Sequence, residues 1–311
     1  MVKDNQIKAK ISPFAIREGE IKTFDGKDGY VSMNQIVHKI NIGHINEIHF
    51  AILELVNEFE FITSRQLYQM LEIKGFDVKS QDKLNNKLEQ LVKSKILTRY
   101  YFTSDEGKGI YRIYCLEKMG KYLLNSKEIE CKWQPSDNTK TVAMIKKRLA
   151  GNQTLIAYLR KVKAFDSYIV KPAITAKIMG KTFKATGGCV KLTKNKKSIQ
   201  FLFEAVRREQ DWKKKLIDKM KMYKEFYENF VSGDSGFSSL PQLIIICEDE
   251  KHMAETFKEI VTGQVEISNI KLYFTTDLRQ NQETLENTLV EFKLVDGKYK
   301  MENIELKLLG M

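Results

Sequence analysis

The chain has 311 residues, long for one domain and comfortable for two, and its 42% hydrophobic and 10% aromatic content can give each half a core. Lys and Arg number 52 against 40 Asp and Glu, so the net charge is +12. That excess points to a polyanionic partner, nucleic acid or an acidic membrane surface, or to solvated faces in a lysine-rich chain, and it excludes an acidic module.

Residues 1–43 mix alternating polarity with the turn dipeptides Asp25-Gly26 and Asp28-Gly29, and predict a short β-hairpin or an ordered arm. From residue 44 the pattern is helical: Ile45, Ile48, Ile52, Leu55, Val56 and Phe59 recur at the spacing of one helix face. Thr63 followed by Gln66 reads as a capping box opening a second helix. After the turn EIKGFDVKS, a third helix opens at Ser80 or Gln81, with Leu84, Leu88, Leu91 and Val92 as its inward stripe. Two β-branched and aromatic strands then flank Asp105-Glu106-Gly107-Lys108-Gly109, and EKMGKYLLN predicts a short helix.

The segment around Pro135 predicts a linker over 131–138. Beyond it come a long helix through Gly151, a β-rich run to about residue 206 and an amphipathic helix with Leu216, Met220, Tyr223, Phe226, Tyr227 and Phe230 inward. PQLIIICED has the continuous apolar run of a strand buried on both faces, KHMAETFKEIV is helical, and NIKLYFTT is another buried strand. The expected organisation is an arm (1–43), a helical domain with a two-stranded wing (44–130), a linker (131–138) and an α/β domain (139–311). Cys115, Cys131, Cys189 and Cys247 form no CxxC pair, which excludes a zinc ribbon and argues against a disulfide scaffold. The first residues lack a signal-peptide apolar core, and no window approaches about eighteen consecutive apolar residues. The expectation is a cytoplasmic protein with reduced thiols and no membrane partner.

Three helices and a two-stranded wing are the order of a winged helix-turn-helix domain, and SQDKLNNKLEQLVKSKILTRYYF resembles the recognition helix and wing entry of bacterial winged-helix proteins. The polar face of that helix would present Gln81, Asp82, Lys83, Asn85, Asn86, Lys87 and Gln90, and Asn, Gln and Lys are residue types whose donors and acceptors match base edges and phosphates. Lys108 at the wing tip suits a backbone or minor-groove contact, and Arg65 and Gln66 suit phosphate positioning. A solvated amphipathic face or a protein-docking surface would carry the same composition.

The second half, a helix, three or four strands, then helix, strand, helix, strand, resembles the restriction-endonuclease-like fold of the PD-(D/E)XK superfamily. With the preceding winged helix it is similar to the replication-relaxation family of plasmid and mobile-element proteins over about residues 44–275. The resemblance implies a two-domain α+β and α/β architecture with a mixed central sheet. It also implies an acidic residue before a hairpin and an acid-x-lysine triplet, which together hold a hard divalent cation. Here the first slot falls on Gly187 or Gly188, the triplet acid on Glu204 and the lysine slot on Val206. Asp166 is the candidate to replace the lost acid, with Glu209 and Arg207 able to drift in from the helix start. Catalytic residues are expected to be absent, or to be Glu204 and Asp166 if any activity persists, with Glu204 otherwise pairing structurally with a lysine.

Two basic runs, with Lys194, Lys196 and Lys197 in one and Arg207, Arg208, Lys213 and Lys214 in the other, would add phosphate contacts or be solvated surfaces. No GxxxxGK[ST], GxGxxG or HExxH occurs, so no cofactor is expected. The functional expectation is a double-stranded-DNA-binding protein of a plasmid, conjugative element or phage, acting in replication, transfer or transcriptional control. It could form a homodimer or work with replication or transfer proteins of the same element. The rivals are a metal-dependent endonuclease with a migrated site and a protein-interaction adaptor.

Overall fold

The computed structural model describes residues 11–105, 107–108 (backbone only), 111–265, 271–281, 285, 287–296 and 298–304. The chain forms two compact units, one of Ile16–Ile156 and one of Ala157–Met311 together with Met1–Ala15.

In the first unit, β1 (Ile21–Phe24) precedes α1 (Met33–Asn41) and α2 (Glu47–Phe59). Then come β2 (Ile62–Thr63), α3 (Ser64–Ile73), α4 (Gln81–Lys93) and β3 (Leu97–Ser104). β4 (Gly107–Lys108), β5 (Ile113–Leu116), α5 (Lys118–Ser126) and the first part of α6 (Val142–Lys161) complete it. The described strands form one antiparallel sheet in the order β1-β3-β5-β2, with β4 on β3.

The predicted helices form where their spacing and caps dictate. Thr63 and Gln66 make a reciprocal capping box on α3, and the Ser80 hydroxyl accepts from the Lys83 N–H at the start of α4. Leu84, Leu88, Leu91 and Val92 are all buried. Two expectations need correction. Residues 21–24 form no local hairpin, because Ile21–Phe24 pairs with Tyr100–Thr103 and satisfies that strand's edge. Segment 131–138 is no free linker, since the Asn138 amide donates to Leu116 C=O at 2.8 Å and its Oδ1 accepts from Trp133 Nε1 at 3.1 Å. The division between units falls instead inside α6.

The second unit is built on seven described strands in the order β14-β13-β12-β11-β10-β9-β6. These are β6 (Phe165–Ile169), β9 (Cys189–Lys194), β10 (Lys197–Ala205), β11 (Gln242–Cys247), β12 (Leu272–Thr276), β13 (Leu289–Val295) and β14 (Lys298–Ile304). β10, β11 and β12 run parallel, and the other pairings are antiparallel, so the sheet is mixed. A separate ribbon pairs β7 (Ala173–Ala176) with β8 (Lys181–Lys184). Helices α7 (Trp212–Glu228) and α8 (Glu250–Thr262) flank the sheet, and a short α9 (Asp277–Gln280) follows β12. Leu243, Ile244, Ile245, Ile246 and Cys247 are fully buried, as the unbroken apolar run of β11 predicts for a strand covered on both faces. Each large aliphatic side chain so buried stabilises the fold by up to about 1.5–3 kcal/mol. Among the described residues, no helix is long and apolar enough to cross a membrane.

Candidate nucleic-acid interface

Helix α4 is held by one face and open on the other. Its leucine stripe is buried, and Glu89 on its flank bonds Arg99 of β3, which also pairs with Asp25 at 2.9 Å. Lys83, Asn85 and Asn86 are exposed and Gln81 and Lys87 half-buried. The side chains of Lys83, Asn86 and Lys87 make no hydrogen bond or ion pair among the described residues, and Asn85 Oδ1 accepts only a long 3.3 Å bond from Gln81 Nε2. Exposed donors and acceptors at Lys83, Asn85 and Asn86 therefore gather within about one turn of the helix, with Lys87 half-buried beside them.

Gln90 is exposed but committed. Its Oε1 lies 3.0 Å from His49 Nε2, and His49 Nδ1 lies 3.2 Å from Asn46 N and 2.9 Å from Asn46 Oδ1. Burial lowers the His49 pKa, so this neutral pairing persists near neutral pH. Arg65 is exposed at the start of α3. Gln66 is not: it is fully buried, caps Thr63 and donates to Leu149 C=O at 2.8 Å, so the phosphate-positioning role expected of it fails for want of access. The capping-box signal was itself the clue that this side chain would be consumed locally. The Lys108 side chain lies outside the described residues.

In the second unit, Glu204 is buried at the end of β10. Its Oε1 accepts from Lys219 Nζ at 2.7 Å and Thr186 Oγ1 at 3.0 Å, and its Oε2 from Tyr223 OH at 2.7 Å and the Thr186 N–H at 3.3 Å. A carboxylate has about four lone-pair sites, so this one is saturated. Burial, then the Glu204 charge, pushes the Tyr223 hydroxyl well above its ordinary pKa and keeps it a donor. The lysine expected to pair with Glu204 is Lys219; Tyr223, four residues farther along α7, is a second partner that only this spacing signals. Gly187 and Gly188 continue the pairing with β10 through Gly187 N–H to Phe203 C=O at 3.0 Å and Phe203 N–H to Gly188 C=O at 2.9 Å.

Asp166 does not join Glu204. Lys191 pairs with Ser167 on β6 and with Gln200 on β10, and Glu204 lies four positions farther along β10. Two strand spacings and between four and five residues separate the acids by roughly 18 Å. Asp166 is exposed, and Lys191 at 3.1 Å and Thr193 at 3.1 Å hold its carboxyl below the ordinary range. The residues of this region therefore do not fit a magnesium site: one acid is saturated, the other distant, and Val206 in the lysine slot is buried. Among the described residues, no three His, Cys, Asp or Glu side chains cluster as metal ligands would.

The basic run after β10 is folded against acids. Arg207, expected at a phosphate, is fully buried, its Nη2 bonding both oxygens of Asp277 at 2.8 and 2.9 Å and its Nη1 bonding Val206 and Ile246 carbonyls. Ser12 donates to the same carboxylate. Arg208 forks onto Asp249 at 2.6 and 3.1 Å and reaches Glu248 and Glu255, and Lys213 pairs with Glu259 at 2.5 Å. Glu209, rather than drifting toward Glu204, pairs with Lys215 at 3.0 Å. Lys214, Lys196 and Lys197 are exposed, and Lys194 is half-buried. Asn195 and Lys196 both have positive φ, as a two-residue hairpin turn requires.

No family model matches the chain, and no curated protein matches it. Among solved structures the chain is similar to the restriction endonuclease FokI, at 12% sequence identity and a TM-score of 0.24, over 75% of this chain and 42% of that chain. A likeness of that size carries no argument about activity, and the chain spans less than half the length of that enzyme.

Proposed function

We propose that this protein binds double-stranded DNA through a winged-helix first unit, with α4 as the helix that enters the major groove, and that its second unit is a nuclease-like scaffold without hydrolytic chemistry. The observation that carries the reading is the open face of α4, where Lys83, Asn86 and Lys87 make no hydrogen bond or ion pair among the described residues and Asn85 accepts one long bond, while the opposite face is locked into the core. Asn amides suit adenine edges, and lysines suit phosphates. What supports a non-catalytic second unit is the saturated Glu204 carboxylate, which has no lone pair left for a cation. The setting proposed is a plasmid, conjugative element or phage, in replication, transfer or transcriptional control.

Fluorescence anisotropy with a labelled duplex at two salt concentrations tests the reading. The wild type should bind with a steep salt dependence, and Lys83→Ala with Lys87→Ala should flatten the slope of log K against log salt by about 0.9 per lysine. An unchanged slope and affinity in that double variant would take α4 out of the groove.

A further inference from the structure

The β7–β8 ribbon ends in the turn Lys177-Ile178-Met179-Gly180, closed by the Gly180 N–H to Lys177 C=O at 3.2 Å, with Gly180 at φ +62°. Ile178 and Met179 fill its two central positions, which in turns usually carry Pro, Asp, Asn, Ser or Gly. Their relative exposures are 77% and 45%. Ile178 thus stands mostly in solvent and Met179 nearly half so, an adjacent apolar pair at the corner of a turn, and apolar surface gathered at one place can serve as a contact site.

We propose that this turn is a wedge that enters the minor groove of double-stranded DNA and partly unstacks one base step. The inference rests on the DNA-binding reading above and adds a second point of contact, in a different unit, with a mechanical consequence.

Three features favour DNA as the occupant. The first is charge. Residues 173–184 contain Lys177, Lys181 and Lys184 and no acidic residue. Lys177 pairs with Asp234 at 2.7 Å, but Lys181 and Lys184 are exposed and make no ion pair among the described residues. Lysines beside an apolar tip would rest on the phosphates bordering the groove.

The second is shape. On the outward face of the ribbon Ala173, Thr175 and Thr182 are small or hydroxylated side chains that suit a groove about 6 Å wide lined with acceptors, and Lys184, opposite Ala173, brings a charge to its edge. The two threonine hydroxyls lie 3.3 Å apart.

The third is rigidity, because a wedge transmits force only if its base is fixed. Ile174 is buried, and Phe183 packs edge-on against Tyr223 at 4.9 Å. The Ile178 N–H donates to Glu225 Oε1 at 2.8 Å, and the Thr175 N–H donates to Ser235 Oγ at 3.2 Å. The tip is thus tied to α7 by its own backbone. An anionic lipid surface would match the lysines, but interfacial insertion favours Trp and Tyr at the tip. The single aromatic residue of 173–184, Phe183, points inward to the core.

The test is DNA bending by the full-length protein, read as end-to-end energy transfer in a doubly labelled duplex of about 30 base pairs with a central flexible TA step. The wild type should raise transfer, and a 2-aminopurine beside the TA step should brighten as it unstacks. The variant Ile178→Ser with Met179→Ser changes only exposed turn positions and should keep the wild-type melting temperature. It should still bind the duplex but lose the bend and the 2-aminopurine signal, with affinity lower by about tenfold, less than the full unstacking and wrapping exchange allows. Binding without bending by the wild type, or equal bending by the variant, would overturn the wedge and leave the α4 reading intact. No duplex binding by the wild type at low salt would overturn both. Co-flotation with phosphatidylserine vesicles that the double substitution abolishes, with DNA bending unchanged, would assign the turn to a membrane instead.

Discussion

The polar face of α4 and the segment from Arg207 to Lys215 are similarly rich in residues that can contact a phosphate, and the fold uses them in opposite ways. On α4 the helix buries its leucines and leaves Lys83, Asn86 and Lys87 without hydrogen-bond or ion-pair partners among the described residues. After β10, Arg207 is sealed against Asp277, Arg208 forks onto Asp249, Lys213 meets Glu259 and Lys215 meets Glu209. Lys214 is the exception, exposed and unpaired among the described residues. The lesson is that a count of basic residues measures gross charge, whereas a polyanion responds to the charge left after neighbouring acids have been paired. A run at the carboxyl ends of parallel strands is especially prone to this, because the next strand and helix bring Glu248, Asp249, Glu255 and Asp277 alongside.

The strongest way to break this comparison is at Arg207. If the guanidinium is structural, Arg207→Ala leaves Asp277 as a buried carboxylate with little left to bond, and the second unit should lose about 3–5 kcal/mol in urea denaturation. Replacing both partners, Arg207→Met with Asp277→Leu, should recover most of the loss, because neither buried charge then remains. A single variant as stable as the wild type would mean that Arg207 is free to serve a ligand after all.

The opposite arm lies at α4. Asn85→Ala and Asn86→Ala should each cost about 1–3 kcal/mol of affinity on a duplex selected from a random library and far less on an arbitrary duplex. Folding stability should move by less than about 0.5 kcal/mol, as surface changes usually do. Equal losses on both duplexes would reduce the asparagines to backbone contacts.

How much of this was readable in advance depends on sequence distance. The α4 stripe, the caps at Thr63 and Ser80 and the buried run of β11 follow from local spacing, and each formed as expected. The partners of charge did not follow, because they are remote: Glu204 meets Lys219 and Tyr223 at separations of 15 and 19 residues, and Arg207 meets Asp277 at 70. Nothing local selects one acid among several on an apposed element. Pairing of β1 with β3, about 80 residues on, was hidden for the same reason. The β13–β14 hairpin was missed although it was local, with alternating LVEFKLV and KYKMENI around Asp296-Gly297, a strong hairpin signal.

A pH test separates the two regions by another route. His252 on α8 is fully buried, with its ring edge-on to Trp212 at 4.9 Å, and its Nδ1 accepts the Glu248 N–H at 3.2 Å. Burial first, then the nearby Arg208 and Arg207 charges, pushes its pKa down to about 3. The imidazole is therefore neutral when folded, whereas the unfolded chain takes up a proton below about pH 6.5. Stability from this group is complete above that pH and falls as the pH drops toward 3. Between pH 7 and pH 5 the loss should be about 2 kcal/mol. Asp249, held low by Arg208, stays ionised in this window and contributes its own loss only below its ordinary range. His252→Gln should flatten the pH dependence of the urea midpoint, and a variant as acid-sensitive as the wild type would sink the assignment.

The smallest effects are expected where the comparison is finest, among three neighbouring lysines of α7. Lys213 and Lys215 are spent on Glu259 and Glu209, so neither should contribute a phosphate contact. Changing either to alanine removes an exposed ion pair worth about 0.2–1 kcal/mol of stability. It also removes one positive charge, so affinity for a duplex should fall slightly through the overall field. The slope of log K against log salt should stay put, because that slope counts counterions released at contacts and not net charge. Lys214→Ala carries the contrast: if this face lies on DNA, its slope should drop by about 0.9 while stability is unchanged. Anisotropy titrations of the three single variants across one salt series decide the matter. A slope change for Lys213 or Lys215 equal to that for Lys214 would show that their acids release them to the DNA, and would erase the distinction between committed and free charge on this helix.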